Sequence, residues 1–418
     1  MGLLLPPGAV KPDYSGYCLS NVPSTIQSIL GVNGGRPGLP KDALGGVETS
    51  DVENVVLLLC DGLGYNEWKR QNDRGFIGSI SKKGSARPIT TVFPSTTAAA
   101  LTTVSTGLTP QEHGLPEWYV YMKELGEVIV TLPFSRVRES GRDTLLGAFD
   151  PRSLFDGTTI FELLSKEGIH CTSLSNRAVA NSAYSKVSRA GSSGVPYASA
   201  SDMVVALRRT LERSSGPNFI YAYWSYVDTI EHIYGPNTDE ATVEASMISY
   251  ALQEGFLSKL DRGAAKKTLM LVTADHGQLN VDPEKVVFMN RFAKLVRSFQ
   301  LTRGGAMIPP WGSARDVYLL VDEARLEETK DYLEKKLAGI ATVLKTEDAI
   351  DAGLFGLNKP SRKFRRRIGN LMILPHGTNT VWFKYWKDDI LKLRGHHGGL
   401  TLDEMTIPLA AARLSDIQ

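Results

Sequence analysis

Three stretches of this chain run apolar and then stop at or near an aspartate. Asn54-Val-Val-Leu-Leu-Leu59 leads into Cys60-Asp61-Gly62, Asn218 to Trp224 ends shortly before Asp228, and Thr268 to Thr273 leads into Ala274-Asp275-His276-Gly277. Apolar runs this short suit strands buried on both faces. Between them lie helical segments: residues 97–106 after Pro94-Ser95-Thr96, Phe161 to Lys166 closed by Gly168, residues 201–213, and a long helix over 238–260. Ile169 to Leu174 reads as one more strand. Strands alternating with helices predict an α/β fold with a mostly parallel central sheet flanked by helices. In such folds ligands sit beyond the carboxyl ends of the strands. Asp61, Asp228, Asp275 and His276 all fall just after predicted strands, which points to one shared site.

The chain has 418 residues, enough for one large α/β domain with insertions or a main domain with a cap. Residues 1–50 are rich in Gly and Pro and read mostly as an irregular lead-in. Residues 51–418 read as one domain, with a smaller, less regular insertion or cap within about 281–390. That insertion is expected to hold strands near Asp316 to Val321 and Asn370 to Leu374, and a helix over 323–337. It also holds the basic run Lys359 to Arg367, read first as a solvated face and second as an anion contact. A net charge of +2 gives no reason to expect nucleic acid as partner. Cys18, Cys60 and Cys171 are too few and too scattered for a disulfide framework or a CxxC zinc site. Free thiols suit a reducing compartment. The first residues lack the charge and apolar length of a secretory signal, and no run of about 18 apolar residues occurs. A cytoplasmic protein without membrane association is therefore expected.

Asp228-Thr-Ile-Glu-His232 sets a carboxylate and an imidazole four residues apart, one turn along a helix, where both can reach one cation. Asp275-His276 adds an adjacent pair, and Gly395-His396-His397-Gly398-Gly399 adds imidazoles in a glycine-rich stretch. Four of the seven histidines lie in these motifs, so they are read together and not as scattered surface residues. Asp with His suits zinc, with manganese or iron as alternatives. Ser95, Thr96 and Thr97 precede a helix. A hydroxyl there is commonly an N-cap, but one that meets a metal ion can become a nucleophile. His113 reads as structural, and Cys60 as a small buried group. Asn176, Tyr184, Trp224 and Tyr226 are candidates for a pocket wall, or for core.

These pieces, in this order, resemble the alkaline phosphatase superfamily, and within it the type I phosphodiesterase/nucleotide pyrophosphatase family. The resemblance runs over roughly residues 50–415 and rests on Leu-Cys-Asp61-Gly, Phe-Pro-Ser-Thr-Thr97 through Ser-Thr-Gly107, Asp228-x-x-x-His232, Ala-Asp275-His276-Gly, and His397-Gly-Gly followed by Asp403-Glu-Met-x-Ile-Pro408. It implies an alkaline-phosphatase-like three-layer sandwich, with Thr97, ten residues before Gly107, as nucleophile. It implies two divalent metal ions, zinc first: Asp61, Asp275 and His276 nearer the nucleophile, Asp228, His232 and His397 on the other, with Thr97 bridging towards the first. His397 is preferred to His396 because the family's ligand precedes Gly, which leaves His396 as a donor behind the ligands or, the preferred reading, a solvated neighbour. Relatives carry an aromatic directly after the nucleophile and an Asn three residues on, where this chain has Ala98 and Ala100. The implied function is hydrolysis of a phosphodiester or pyrophosphate in a small phosphorylated substrate, a nucleotide among the candidates, through a phosphothreonine. A phosphomonoesterase or phosphonate hydrolase is the alternative, and a non-catalytic metal- or anion-binding protein the third reading.

Overall fold

The structure, a computed structural model, describes residues 3–418. Its centre is a seven-stranded sheet in the order Ser85–Thr90, Thr406–Arg413, Thr268–Thr273, Asn54–Cys60, Asn218–Trp224, His170–Asn176, Ser193–Tyr197. Asn54–Cys60 pairs in parallel with the strands on both sides, and His170–Asn176 extends the parallel set outwards. Thr406–Arg413 runs antiparallel to both of its neighbours. The three apolar runs are buried along their whole length, as strands covered on both faces must be. The expected helix-flanked, mostly parallel sheet is the fold. Register then fixes where the central strands stop. Cys60 lies opposite Trp224, and Leu59 opposite Thr273, so three neighbouring strands end level with one another.

Two expectations change in detail. The lead-in contains the helix Val22–Ile29, with Pro23 in its first turn and Val22 and Ile26 buried in the main core. The helix expected over 238–260 is regular only over Asp239–Ala251, then passes through a π turn at Leu252–Phe256 and a 3-10 turn at Leu257–Lys259. In the π turn a Cβ on Gly255 would lie 2.5 Å from Val204 Cγ2, so the wide turn and the glycine fit the neighbouring helix Ala200–Glu212.

The 281–390 stretch is more regular than expected. It supplies Trp311–Gly312, Val317–Leu319, Ala341–Lys345 and Leu371–Pro375 to a second seven-stranded, antiparallel sheet. The remaining strands, Tyr119–Met122, Glu127–Val130 and Ser135–Arg136, come from far earlier in the chain. Val317–Leu319 and Leu371–Pro375 match the strands expected near Asp316 to Val321 and Asn370 to Leu374, while the others, of two to five residues, carry too little periodicity to be read from sequence. The basic run forms the helix Arg362–Arg367 and is a set of ties more than a free charged face. Lys363 pairs with Asp156 at 2.8 Å, Arg365 with Glu347 at 2.7 Å, and the buried Arg367 donates to Gly114 O at 2.7 Å and to Leu154 O. Among the described residues no helix is long and apolar enough to cross a membrane.

Candidate active site

The level ends of the three central strands place Asp61, Asp275 and the start of the Tyr226–Tyr234 helix side by side. The turn after Asp61 depends on Gly62. Its φ is +77°, and a Cβ there would lie 2.7 Å from Asp228 Cα. Without a side chain, Gly62 lets the Asp228 backbone close in, while its N–H donates to Asp275 Oδ1 at 3.1 Å. Asp228 and His232 stand one turn apart on the Tyr226–Tyr234 helix, with His232 Nε2 3.3 Å from Asp228 Oδ1. His397 enters from a strand pair, Gly395–His396 against Leu279–Asn280, and its Nε2 lies 3.7 Å from Asp228 Oδ1.

Thr97 opens the buried helix Thr97–Thr106. None of the three hydroxyls before or at this helix caps it. Thr96 is the N-cap residue but makes no capping bond, Ser95 Oγ donates to Gly399 O at 2.7 Å, and Thr97 Oγ1 lies 3.0 Å from His276 Nε2. His276 Nε2 is in turn 3.5 Å from Asp61 Oδ1 and 3.4 Å from Asp275 Oδ2.

The protons on the three imidazoles follow from their partners. Nδ1 of His232 lies 2.7 Å from Gly395 O, Nδ1 of His397 2.9 Å from Ser95 O, and Nδ1 of His276 3.2 Å from Gly277 O. A carbonyl can only accept, so each Nδ1 carries a hydrogen, and in a neutral ring that leaves the Nε2 lone pair free to bind a cation. All three lone pairs face carboxylates, which are acceptors too. Asp61 Oδ1 and Asp275 Oδ2 are buried without a hydrogen-bond donor. With the rings neutral, acceptors converging on acceptors in a buried site leave a negative hole suited to a cation. Ligand atoms of Asp228, His232 and His397 lie within 4.8 Å of one another, as do those of Asp61, Asp228 and His276. Asp228 therefore stands between the two groups, and Asp275 reaches the second through His276.

Burial, and then the charges of Asp275 and Asp228, hold the Asp61 carboxyl well above its usual range, although the Tyr223 hydroxyl donates to Asp61 Oδ2. His397 is pushed well down, first by burial and then by His276 and His232, so it stays neutral. A cleft of about 460 Å³ opens over Thr97, Asp228, His232 and His397, walled by Trp118, Tyr119, Trp382 and the 389–393 segment.

His396 is not the solvated neighbour expected from its position. It is 7% exposed, lines the cleft, is held neutral by burial first, and leaves Nε2 without a partner. His113 is fully buried, accepts from Leu115 N–H at 3.1 Å, and lies 3.2 Å from Thr103 Oγ1, which suits its structural reading. Tyr184 is buried against Thr102 Oγ1, Trp224 Nε1 donates to Glu244, and Asn176 donates to Tyr226; none of these four aromatic or amide residues lines the cleft. Cys60 is buried as expected. Sequence reading missed Tyr223, Gln278, Ser95 and Glu404. Gln278 Nε2 donates to Asp228 Oδ1, and Glu404 forms a fully buried pair with Arg315 while accepting from Gly399 N–H at 2.9 Å. Glu404 lies inside the Asp403-Glu-Met motif, and Tyr223 shares a strand face with Tyr221, but neither signal names a partner.

The model of the type I phosphodiesterase/nucleotide pyrophosphatase family matches residues 55–400. The chain belongs to this family. The family is one of phosphodiesterases and nucleotide pyrophosphatases. Murine ectonucleotide pyrophosphatase/phosphodiesterase 5, an inactive variant in complex with AMP, superposes with a TM-score of 0.63 at 18% identity over 85% of this chain and 87% of its own. The human form gives 0.62 at 18% identity over 86% and 87%. Phosphonoacetate hydrolase from Sinorhizobium meliloti, in complex with phosphonoformate, gives 0.59 at 18% identity over 87% and 93%. At these identities the likeness is one of fold. No curated protein sequence matches the chain. The family's members are generally metal-dependent, and this chain holds groups of residues able to bind metal. Ala98 and Ala100 are fully buried, so in this member those two positions face the core and not the cleft.

Proposed function

We propose that this protein is a two-metal hydrolase of phosphodiester or pyrophosphate bonds, with Thr97 as nucleophile and residues 51–418 as the catalytic unit. The observation that carries the reading is the gathering of three imidazoles and two donorless carboxylate oxygens around Asp228 and His276, with the Thr97 hydroxyl 3.0 Å from His276 Nε2. Those donors fit divalent cations, zinc first and manganese or iron next. Asp61, Asp275 and His276 would hold one ion beside Thr97, and Asp228, His232 and His397 the other. Bound there, the ions supply Lewis-acid stabilisation of the phosphoryl oxygens and favour the ionised hydroxyl. Thr97 Oγ1 attacks phosphorus and the leaving oxygen departs, giving a phosphothreonine. Water then attacks the same phosphorus, and Thr97 is released with its proton. Free N–H groups at the start of the Thr97–Thr106 helix face developing negative charge. His232 and His397, fixed through Nδ1 by backbone carbonyls, hold their ring orientation through the cycle.

The AMP and phosphonoformate bound by the structural neighbours support a small phosphorylated substrate. The aromatic wall of Trp118, Tyr119 and Trp382 suits a nucleobase or another planar leaving group. Three free, buried cysteines support a cytoplasmic setting. The test is turnover of bis-p-nitrophenyl phosphate and p-nitrophenyl phosphate by chelator-treated protein with zinc or manganese restored. Metal-dependent turnover of the diester that disappears in Thr97→Ala, with phosphate trapped on Thr97 on acid quench, is expected. Full activity in Thr97→Ala would end this reading.

A further inference from the structure

Tyr223 stands on the central strand Asn218–Trp224, opposite Leu59, and is buried. Its hydroxyl donates to Asp61 Oδ2. Two neighbours fix the tyrosine in place. The Tyr197 hydroxyl donates to Tyr223 O, and the Arg189 guanidinium lies 5.9 Å from the centre of the Tyr223 ring while it donates to Ser175 Oγ. Asp275 is treated in the same way as Asp61, with backbone in place of the tyrosine. Its Oδ1 accepts from Gly62 N–H at 3.1 Å and from His276 N–H at 3.0 Å. In each carboxylate, then, the protein takes one oxygen. The other, Asp61 Oδ1 or Asp275 Oδ2, is buried without a donor. The two free oxygens are the ones that meet at His276, 3.5 and 3.4 Å from its Nε2, and the same nitrogen lies 3.0 Å from Thr97 Oγ1.

A carboxylate with both oxygens free can give a cation two bonds, whereas one whose second oxygen is engaged gives one. With Asp61 and Asp275 so limited, the residues assigned to the ion beside Thr97 offer four donor atoms: Asp61 Oδ1, Asp275 Oδ2, His276 Nε2 and Thr97 Oγ1. Zinc is satisfied by about four donors, and manganese seeks about six, mostly oxygen. We propose that Tyr223 is a positioning residue that limits Asp61 to a single metal-binding oxygen and so selects zinc over manganese at the site beside Thr97. This rests on the assignment of Asp61, Asp275 and His276 to that ion in the proposed function. Of the groups that engage the second oxygens, Tyr223 alone is a side chain, so it alone can be removed by substitution.

The experiment measures zinc and manganese affinities by competition titration in the full chain. The protein carries His232→Ala and His397→Ala, which remove two ligands of the other ion, and is compared with and without Tyr223→Phe. Tyr223→Phe frees Asp61 Oδ2. Zinc affinity then falls by roughly tenfold, the usual effect of losing an outer partner of a ligand, while manganese, which gains an oxygen, keeps its affinity or binds more tightly. The preference for zinc over manganese therefore falls by about tenfold or more. A merely structural role would lower both affinities together and leave the preference in place. An unchanged preference in the folded variant overturns the proposal. If Tyr223→Phe does not fold, cobalt bound to the protein that keeps Tyr223 decides the matter. Strong visible absorption, the mark of cobalt with four donors, is expected, and the weak absorption of cobalt with six donors overturns the proposal. Protein that binds neither zinc nor manganese would instead defeat the proposed function, and the selectivity reading with it.

Discussion

Ser95 is the residue on which the two sides of the site meet. Its hydroxyl donates to Gly399 O at 2.7 Å and accepts from Gly398 N–H at 3.1 Å, while its carbonyl lies 2.9 Å from His397 Nδ1. One residue thus orients a metal-ligand candidate and, two positions on, the proposed nucleophile. Ser95→Ala keeps the carbonyl and loses the two hydroxyl bonds. We expect zinc affinity, measured by titration calorimetry, to fall by roughly tenfold, the usual effect of losing an outer partner of a ligand. Asp61 gives a second expectation. Its carboxyl is held high by burial and by Asp275 and Asp228, so in metal-free protein it keeps a proton at pH values where an ordinary carboxyl has lost it. A cation must displace that proton. Affinity should therefore fall as pH drops, beginning above the ordinary carboxylate range, and binding should release protons. Calorimetry in two buffers of different ionisation enthalpy measures the release; a proton count of zero at neutral pH would contradict it. His397, already neutral through burial, is not the source. At this scale the sequence disclosed ligand types and spacing. It could not disclose Ser95, because a serine hydroxyl that bonds two backbone groups of a distant loop looks like any N-cap.

At the scale of elements, the strand-to-helix turn after Asp61 is a demanding join. Gly62→Ala would strain a φ of +77° and drive a Cβ to within 2.7 Å of the Asp228 backbone. We expect a loss of about 2–4 kcal/mol from strain and displacement together, read by denaturant unfolding, and a lowered metal content. Elements such as this were legible because a fully buried strand is an uninterrupted apolar run, and three of these end at aspartates in level register. The second sheet was legible only in part. The strands expected near Asp316 to Val321 and Asn370 to Leu374 are there as Val317–Leu319 and Leu371–Pro375, but Trp311–Gly312 is too short to show alternation, and Gly312 pairs with Tyr119, nearly two hundred residues away. The Tyr119–Met122 hairpin and the later strands make sense only once they are beside each other. The helix break after Ala251 was hidden for a similar reason, since its partner, Val204, lies on another helix.

At the scale of the whole molecule, the Arg315–Glu404 pair joins the two sheets. Arg315 leads into Val317–Leu319 of the second sheet, and Glu404 precedes Thr406–Arg413 of the first. Both side chains are fully buried, with bonds of 2.9 and 3.0 Å between them, and Glu404 O accepts from Gly277 N–H at 3.0 Å. Removing one partner of such a pair strands the other charge. Arg315→Met should cost about 3–5 kcal/mol by denaturant unfolding, and the double change Arg315→Met with Glu404→Leu distinctly less than the sum. Equal, additive losses would show that the pair is not acting as a unit.

The antiparallel strand Thr406–Arg413 sits between Ser85–Thr90 and Thr268–Thr273, inside the sheet and not at its edge. It is also the last strand of that sheet to be synthesised. Until it emerges from the ribosome, Ser85–Thr90 has no neighbour in the sheet, and the edge of Thr268–Thr273 stands open. From the completion of Thr268–Thr273 until Thr406–Arg413 emerges, the nascent chain therefore carries an unfilled slot, prone to capture by the wrong strand. His397 reaches the exit only just before the slot closes, so the full set of proposed ligands assembles only once Thr406–Arg413 has been made.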